Sequence, residues 1–245
     1  MATLPVADLI AFGSCRKQKY AQDVWDAVAR LRPSAWLWTG DYLYFKAPRG
    51  REAAALEASF VETRESAGEQ QLRAVVPIID GVYDDHDYGE NDAGRHFANR
   101  ELARRLFLDE VVRAPETSAR RTQDGGLYGA RTLVMAGREV KVLMLDTRFS
   151  RDDHAIPSLG GSTWLPKPGY VAAAVRLLSA MLGLASDGDV LGEAQWAWLE
   201  GELSNSSASV HVLISSIQAR AALLTLHTTE PLPLPLPLPL PLPPP

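Results

Sequence analysis

Three short apolar runs limit what this chain can fold into. Leu9-Ile10-Ala11-Phe12 and Ala35-Trp36-Leu37-Trp38-Thr39 are two of them, and the third strand is expected over Leu72 to Ile79. Each is too short for a long helix and has the length of a buried strand. The segments between them are helical in pattern. Gln22 to Leu31 places Val24, Trp25, Val28 and Leu31 at helical spacing, and Pro33 ends that helix. Arg51 to Gln71 is rich in Glu, Ala and Arg and reads as one or two surface helices. Strand-helix-strand alternation implies a parallel sheet of the α/β class. In such sheets ligands gather beyond the carboxyl ends of the strands.

All three runs stop at polar clusters: Gly13-Ser14-Cys15-Arg16, Gly40-Asp41-Tyr42-Leu43-Tyr44, and Tyr83-Asp84-Asp85-His86-Asp87-Tyr88-Gly89-Glu90-Asn91-Asp92. Carboxylates packed this closely repel one another unless a cation lies among them. Asp, Asn and His all ligate metals, although a solvated acidic turn uses the same residues. Cys15, Asp41, Tyr44, Asp85 and Asn91 form a coherent ligand set. A carboxylate such as Asp41 is able to bridge two metals, and two-metal sites suit phosphoryl transfer. A thiolate with a phenolate favours iron, whereas the oxygen ligands suit calcium. His86 has the chemistry to act as general acid or to stabilise a phosphoryl oxygen. Simpler roles exist for each. Cys15 reads equally as a small buried residue and Tyr44 as a core-edge aromatic. Asp146-Thr147-Arg148 is either a structural ion pair or a source of a phosphate-holding arginine, Arg148 or Arg151.

The remainder supplies further elements. Gly94 to Val112 is expected to be helical. Tyr128 to Val134 and Glu139 to Leu145 read as a hairpin, and Gly160-Gly161 with prolines 166 and 168 as a loop. Val171 to Leu184, apolar on most sides, reads as a buried helix. A helix from Gly192 to about Leu203 and a strand over Val210 to Ile214 follow, and His211 in that strand reads as a satisfied structural histidine. Pro231 to Pro245 alternates Pro and Leu, which excludes a helix or central strand and predicts an extended tail. The net charge of -5 argues against a general nucleic-acid binder. Cys15, the single cysteine, excludes an intrachain disulfide. No apolar run is long enough for a membrane span, and no signal peptide is evident, so the default expectation is cytoplasmic.

The ordered set Gly13-Ser14-Cys15, Gly40-Asp41-Tyr42-Leu43-Tyr44, Asp84 to Gly89 with Asn91-Asp92, Asp146-Thr147-Arg148, Leu191-Gly192 with Gln195, Trp198 and Leu199, and Ser215-Ser216-Ile217-Gln218 resembles the PhoD-like alkaline phosphatases. These are distant relatives of the calcineurin-like metallophosphoesterases. The resemblance implies a four-layer α/β/β/α sandwich and hydrolysis of small phosphate esters by a metal-activated hydroxide. It implies iron, Fe(3+), held by Cys15, Asp41 and Tyr44, and calcium, Ca(2+), reached by Asp85 or Asn91. Asp41 would bridge, with His86 beside the scissile phosphate. Tyr83 stands where the family usually has Trp. The family's later Gly-Asp-x-His element is missing, so the sandwich is expected to be incomplete at its C-terminus. Residues 1–218 are then a partial phosphatase domain and 219–245 a divergent tail. Two other readings stay open: an inactive truncated form that acts by binding, and a phosphodiesterase or phospholipase of the same superfamily.

Overall fold

The computed structural model describes residues 7–20, 22–45, 50–154, 168–182 and 188–218. The Pro-Leu tail and the Gly160-Gly161 loop lie outside the described residues. β1 (Ala7–Gly13), β2 (Pro33–Thr39) and β3 (Ile78–Val82) form one parallel sheet in that order. Parallel pairing follows from the connections, because each strand returns through helix. α1 (Val24–Leu31) makes the first crossover, and α2 (Glu52–Glu65) with α3 (Ala67–Val75) makes the second. Pro33 both ends the helical segment and opens β2.

The third strand begins later than the apolar run suggests. Leu72 to Val75 close α3, where Leu72 is buried, and β3 takes Ile78 to Val82 instead. The run straddles a helix end and a strand start, while Asp80 and Gly81 hide the true strand. The helices read as surface elements also bury one side each, through Leu56 and Phe60 on α2 and Leu72 on α3. Trp25 of α1 packs edge-on to Trp36 and Trp38 of β2, with ring centroids 5.3 and 5.9 Å apart. Such T-shaped pairs exploit the ring quadrupole beyond simple area burial.

β4 (Gly129–Met135), β5 (Arg138–Met144) and β6 (Val210–Ile214) form the second sheet. β4 and β5 are an antiparallel hairpin closed by Ala136 and Gly137, both at positive φ, and β6 runs parallel to β5. Strand alternation sends β5 residues to opposite faces. Val142 and Met144 join the core shared with the first sheet, whereas Leu143 packs with Leu145, Leu191 and Leu199, the last on α7 (Glu193–Ser204). The layers are therefore helix, sheet, sheet, helix, the α/β/β/α arrangement.

Other elements depart from the sequence pattern. α4 is the single turn Asp85–Tyr88. The helix expected over 94–112 starts only at Arg100, as α5 (Arg100–Leu106), and continues as a wider π-type turn over Phe107–Val112. Its first residues are drawn off instead by Arg151, whose carbonyl accepts the Arg95 N–H at 2.9 Å. α6 (Pro168–Met181) starts on a proline placed in the loop by its sequence, as the first helical turn permits. Its apolar composition predicts a buried or packing helix, yet Tyr170, Leu177 and Met181 are exposed. The sequence lacks a polar face there, and nothing among the described residues covers the helix. Among the described residues no helix is long and apolar enough to cross a membrane.

Two buried polar contacts join the sheets. Asp80 of β3, only 1% exposed, meets Arg120 at 2.6 Å and Arg131 of β4 at 2.8 Å. Tyr83, just past β3, donates to Asp146 Oδ2 at 2.5 Å just past β5. The same carboxylate accepts the N–H groups of Leu127, Arg148 and Phe149. Burial pushes the Asp146 carboxyl above its ordinary range, against the pull of these donors.

For Asp80, burial pushes the carboxyl up, but the two arginines outweigh it and hold it below the usual range. A depressed carboxyl stabilises the fold above its unfolded value and loses that contribution as pH falls through the folded one. Asp80→Asn is expected to cost about 3 kcal/mol at neutral pH, the lower end for removing one partner of a buried pair. Urea unfolding should show that the difference from the parent protein shrinks below about pH 4; an unchanged midpoint at neutral pH would refute the role. Tyr83→Phe should cost about 1.5 kcal/mol in the same assay, because it removes a hydrogen bond to a charged group and leaves three backbone donors in place.

Candidate metal centre

The carboxyl ends of β1, β2, β3, β5 and β6 deliver their loops to one place. β1 ends before Cys15, β2 before Asp41, β3 before Asp84, β5 before Arg148 and β6 before Ser216. Gly40 makes the convergence feasible. It sits at φ 106°, and a Cβ there would collide with the Cβ atoms of Asp84 and Ser216. Cys15 and Asp41 themselves adopt left-handed backbone, at φ 58° and 51°. For non-glycine residues that conformation is uncommon and must be held by its surroundings. The Cys15 N–H donates to Gly40 O at 3.3 Å and the Arg16 N–H to Asp41 O at 2.9 Å.

Asp87 fastens the next loop. Its fully buried carboxylate accepts the Asp84 N–H at 2.6 Å and the Tyr42 N–H at 2.9 Å, tying the loops after β2 and β3 together. The Asp84 side chain caps the same turn in return. Burial pushes the Asp87 carboxyl well up. Arg16 anchors the Cys15 loop from behind, bonding Glu69 at 3.1 Å and Ser66 at 2.7 Å on or beside α3.

Within this frame, Asp41, Asp85 and His86 each offer a ligand atom, all within 4.8 Å of one another. Asp41 Oδ2 accepts the Tyr44 hydroxyl at 2.5 Å, and Cys15 Sγ lies 3.6 Å from the same oxygen. Among the described residues Asp41 Oδ1, which is buried, has no hydrogen-bond partner. A buried carboxylate oxygen left bare is costly, and a cation beside it removes the cost. The donor set therefore fits a metal ion. The Tyr44 ring lies against His86, centroids 4.1 Å apart. Burial, and then the bond to Asp41, push the Tyr44 phenol far above its ordinary range, so it is neutral here. Asp85 Oδ2 accepts the Asp92 N–H at 3.0 Å, and Asn91 stands exposed in that same turn. His86, expected beside the substrate as a general acid or a stabiliser of a phosphoryl oxygen, brings a ring nitrogen within 4.8 Å of the Asp41 and Asp85 carboxylates.

Arg148 is placed differently from either sequence reading. Its backbone N–H serves Asp146, but its guanidinium turns to Asp84, where Nε and Nη2 both reach Oδ1 at 2.5 Å. The edge that would grip a phosphate is thus occupied. Nη1 is buried with no hydrogen-bond partner among the described residues. Ser216 Oγ also donates to Asp84 Oδ1, at 2.9 Å, and stands 2.5 Å from Thr147 Oγ1. Burial pushes the Asp84 carboxyl up; Arg148 opposes this and Asp85 adds to it. Local pattern predicts no pairing for Asp84, Ser216 or Arg16, whose partners are many residues away. The Asp84-x-x-Asp87 capping spacing was the one local signal available. Among the described residues His211 Nε2 is buried with no hydrogen-bond partner, whereas a satisfied structural histidine is expected there.

No family model matches the chain, and no curated protein matches it. Among solved structures it is similar to one titled "Structure of PhoD", with a TM-score of 0.57 and 20% sequence identity over 86% of this chain. The match spans 43% of that protein, less than half its length. At this identity the likeness is one of architecture: the chain shares the PhoD-like α/β fold.

Proposed function

We propose that the chain carries the metal centre of a phosphoric ester hydrolase of the PhoD-like kind. The observation that supports it most is the bare, buried Asp41 Oδ1 beside Asp85 and His86, at the strand ends of a fold like that of PhoD. In this reading Cys15, Asp41 and Tyr44 would hold ferric iron, and Asp41 with Asp85 or Asn91 would serve calcium. Such ions, when bound, offset the charge of a phosphate ester and acidify water.

The chain's own groups do the rest. His86, half-buried with its ring face on Tyr44, protonates the departing ester oxygen. Tyr44 donates its hydroxyl proton to the Asp41 carboxylate, and as a phenolate it would serve a bound cation in the place of that hydrogen bond. Arg148 is a positioning residue. By holding Asp84, which caps α4, it orients Asp85 and His86 on the following turn. A buried pair of this kind stiffens the turn at a site where small displacements are costly.

Ferric iron added at neutral pH should produce a visible phenolate-to-iron absorption band, absent in Tyr44→Phe. Asp41→Asn should weaken metal retention at least about tenfold, measured by metal analysis after dialysis. The loaded protein should cleave p-nitrophenyl phosphate or bis-p-nitrophenyl phosphate, and the preference between them distinguishes a monoesterase from a diesterase. Retention of iron without cleavage of either would leave a metal-binding centre and reject the hydrolase. Failure to retain metal at all would reject the centre.

A further inference from the structure

At the other end of β3 from the metal centre, an open cleft of about 300 Å³ is lined by Arg73, Arg113 and Arg131 together with apolar Val76, Ile79 and Val112. Its charge is not balanced by its neighbours. Glu69 is shared by Arg16, at 3.1 Å, and Arg73, at 2.7 Å. Asp80 is shared by Arg120, at 2.6 Å, and Arg131, at 2.8 Å. One carboxylate per two guanidinium groups leaves each cluster with an excess positive charge. Arg113, exposed on the cleft rim, makes no ion pair among the described residues and adds a third. The acidic residues of the adjoining turn do not compensate. Asp109 is taken by Arg121 and Glu110 by Arg64, each at 2.5 Å. Arg73 Nη2 also donates to the Glu110 and Val111 carbonyls, at 3.0 and 2.8 Å, while its Nε is buried with no hydrogen-bond partner among the described residues. This concentration of positive charge occurs in a chain whose net charge is -5.

We infer that this cleft binds a small organic oxyanion, a carboxylate or phosphate group on a compact apolar body. Arg113 supplies the planar donors that such anions prefer, while Arg73 and Arg131, whose donors engage Glu69 with the Glu110 and Val111 carbonyls and Asp80 respectively, add positive charge to the walls. The Val76, Ile79 and Val112 side chains supply an apolar wall for the rest of the ligand. The volume is at the lower end for small-molecule sites, which limits the body to about one ring. The site is independent of the metal centre: it shares none of the residues proposed as ligands and opens at the opposite strand end.

The test uses the full chain with methyl-labelled Ile and Val, titrated with benzoate, phenylphosphonate and inorganic phosphate, and read by methyl NMR. Benzoate or phenylphosphonate should produce saturable shifts at Val76, Ile79 and Val112; whichever binds more tightly identifies carboxylate or phosphate as the preferred headgroup. Inorganic phosphate should bind there more weakly. Arg113→Asn should weaken the organic anion about tenfold, and Arg113→Lys should retain most of the affinity. Asn tolerates the left-handed backbone of position 113, φ 55°, so the variant keeps the fold. The inference is overturned by any of three results: no saturable shift at these methyls, equal affinity in Arg113→Asn, or inorganic phosphate binding as tightly as the organic anions.

Discussion

The fold closes on the Asp84 carboxylate. A single oxygen, Oδ1, receives the Arg148 guanidinium from the end of β5 and the Ser216 hydroxyl from the end of β6, while Asp84 itself ends the connection from β3. Two sheets that also meet through apolar packing and through the Asp80–Arg131 and Tyr83–Asp146 contacts are thereby locked at one edge. Removing either charge would leave the other buried and unpaired, which costs far more than the pair contributes. That asymmetry makes the junction an all-or-none feature. It also explains why Arg148, promising in sequence as a phosphate clasp, is spent inside the protein.

Around the junction, the loops depend on backbone conformations that the chain does not adopt freely. Gly40 is needed because Asp84 and Ser216 approach too closely for any side chain there. Cys15 and Asp41 accept left-handed backbone, offset by the hydrogen bonds between their two loops and by the Arg16–Glu69 pair behind them. Strain held by surrounding structure is typical of functional sites. Here it presents the Asp41 carboxylate with one oxygen bonded by Tyr44 and the other bare.

Charge is handled in two ways along the molecule. At the strand ends, carboxylates outnumber their cations, and burial pushes Asp84 and Asp87 upward. At the start of β3, guanidinium groups outnumber carboxylates, and Asp80 is held down. The two ends of one short strand therefore present environments of opposite sign.

By itself the sequence determined the α/β class, the helix-connected first sheet, the β4–β5 hairpin and the grouping of Cys15, Asp41, Tyr44, Asp85 and His86 at strand ends. Local patterns encode these features: apolar runs of strand length, a turn between two alternating segments, and polar residues directly after each run. Only tertiary structure decided where β3 begins, because Leu72 is buried by helix packing rather than by strand pairing. It also left α6 exposed, although its composition alone reads as buried. Partner choice was equally out of reach. Arg148 has Asp146 two residues away and Asp84 far upstream, and it sends its guanidinium to the distant one because the fold brings the ends of β3 and β5 together. Residue type and spacing state what chemistry a side chain is capable of; which neighbour uses it depends on contacts between segments remote in the chain.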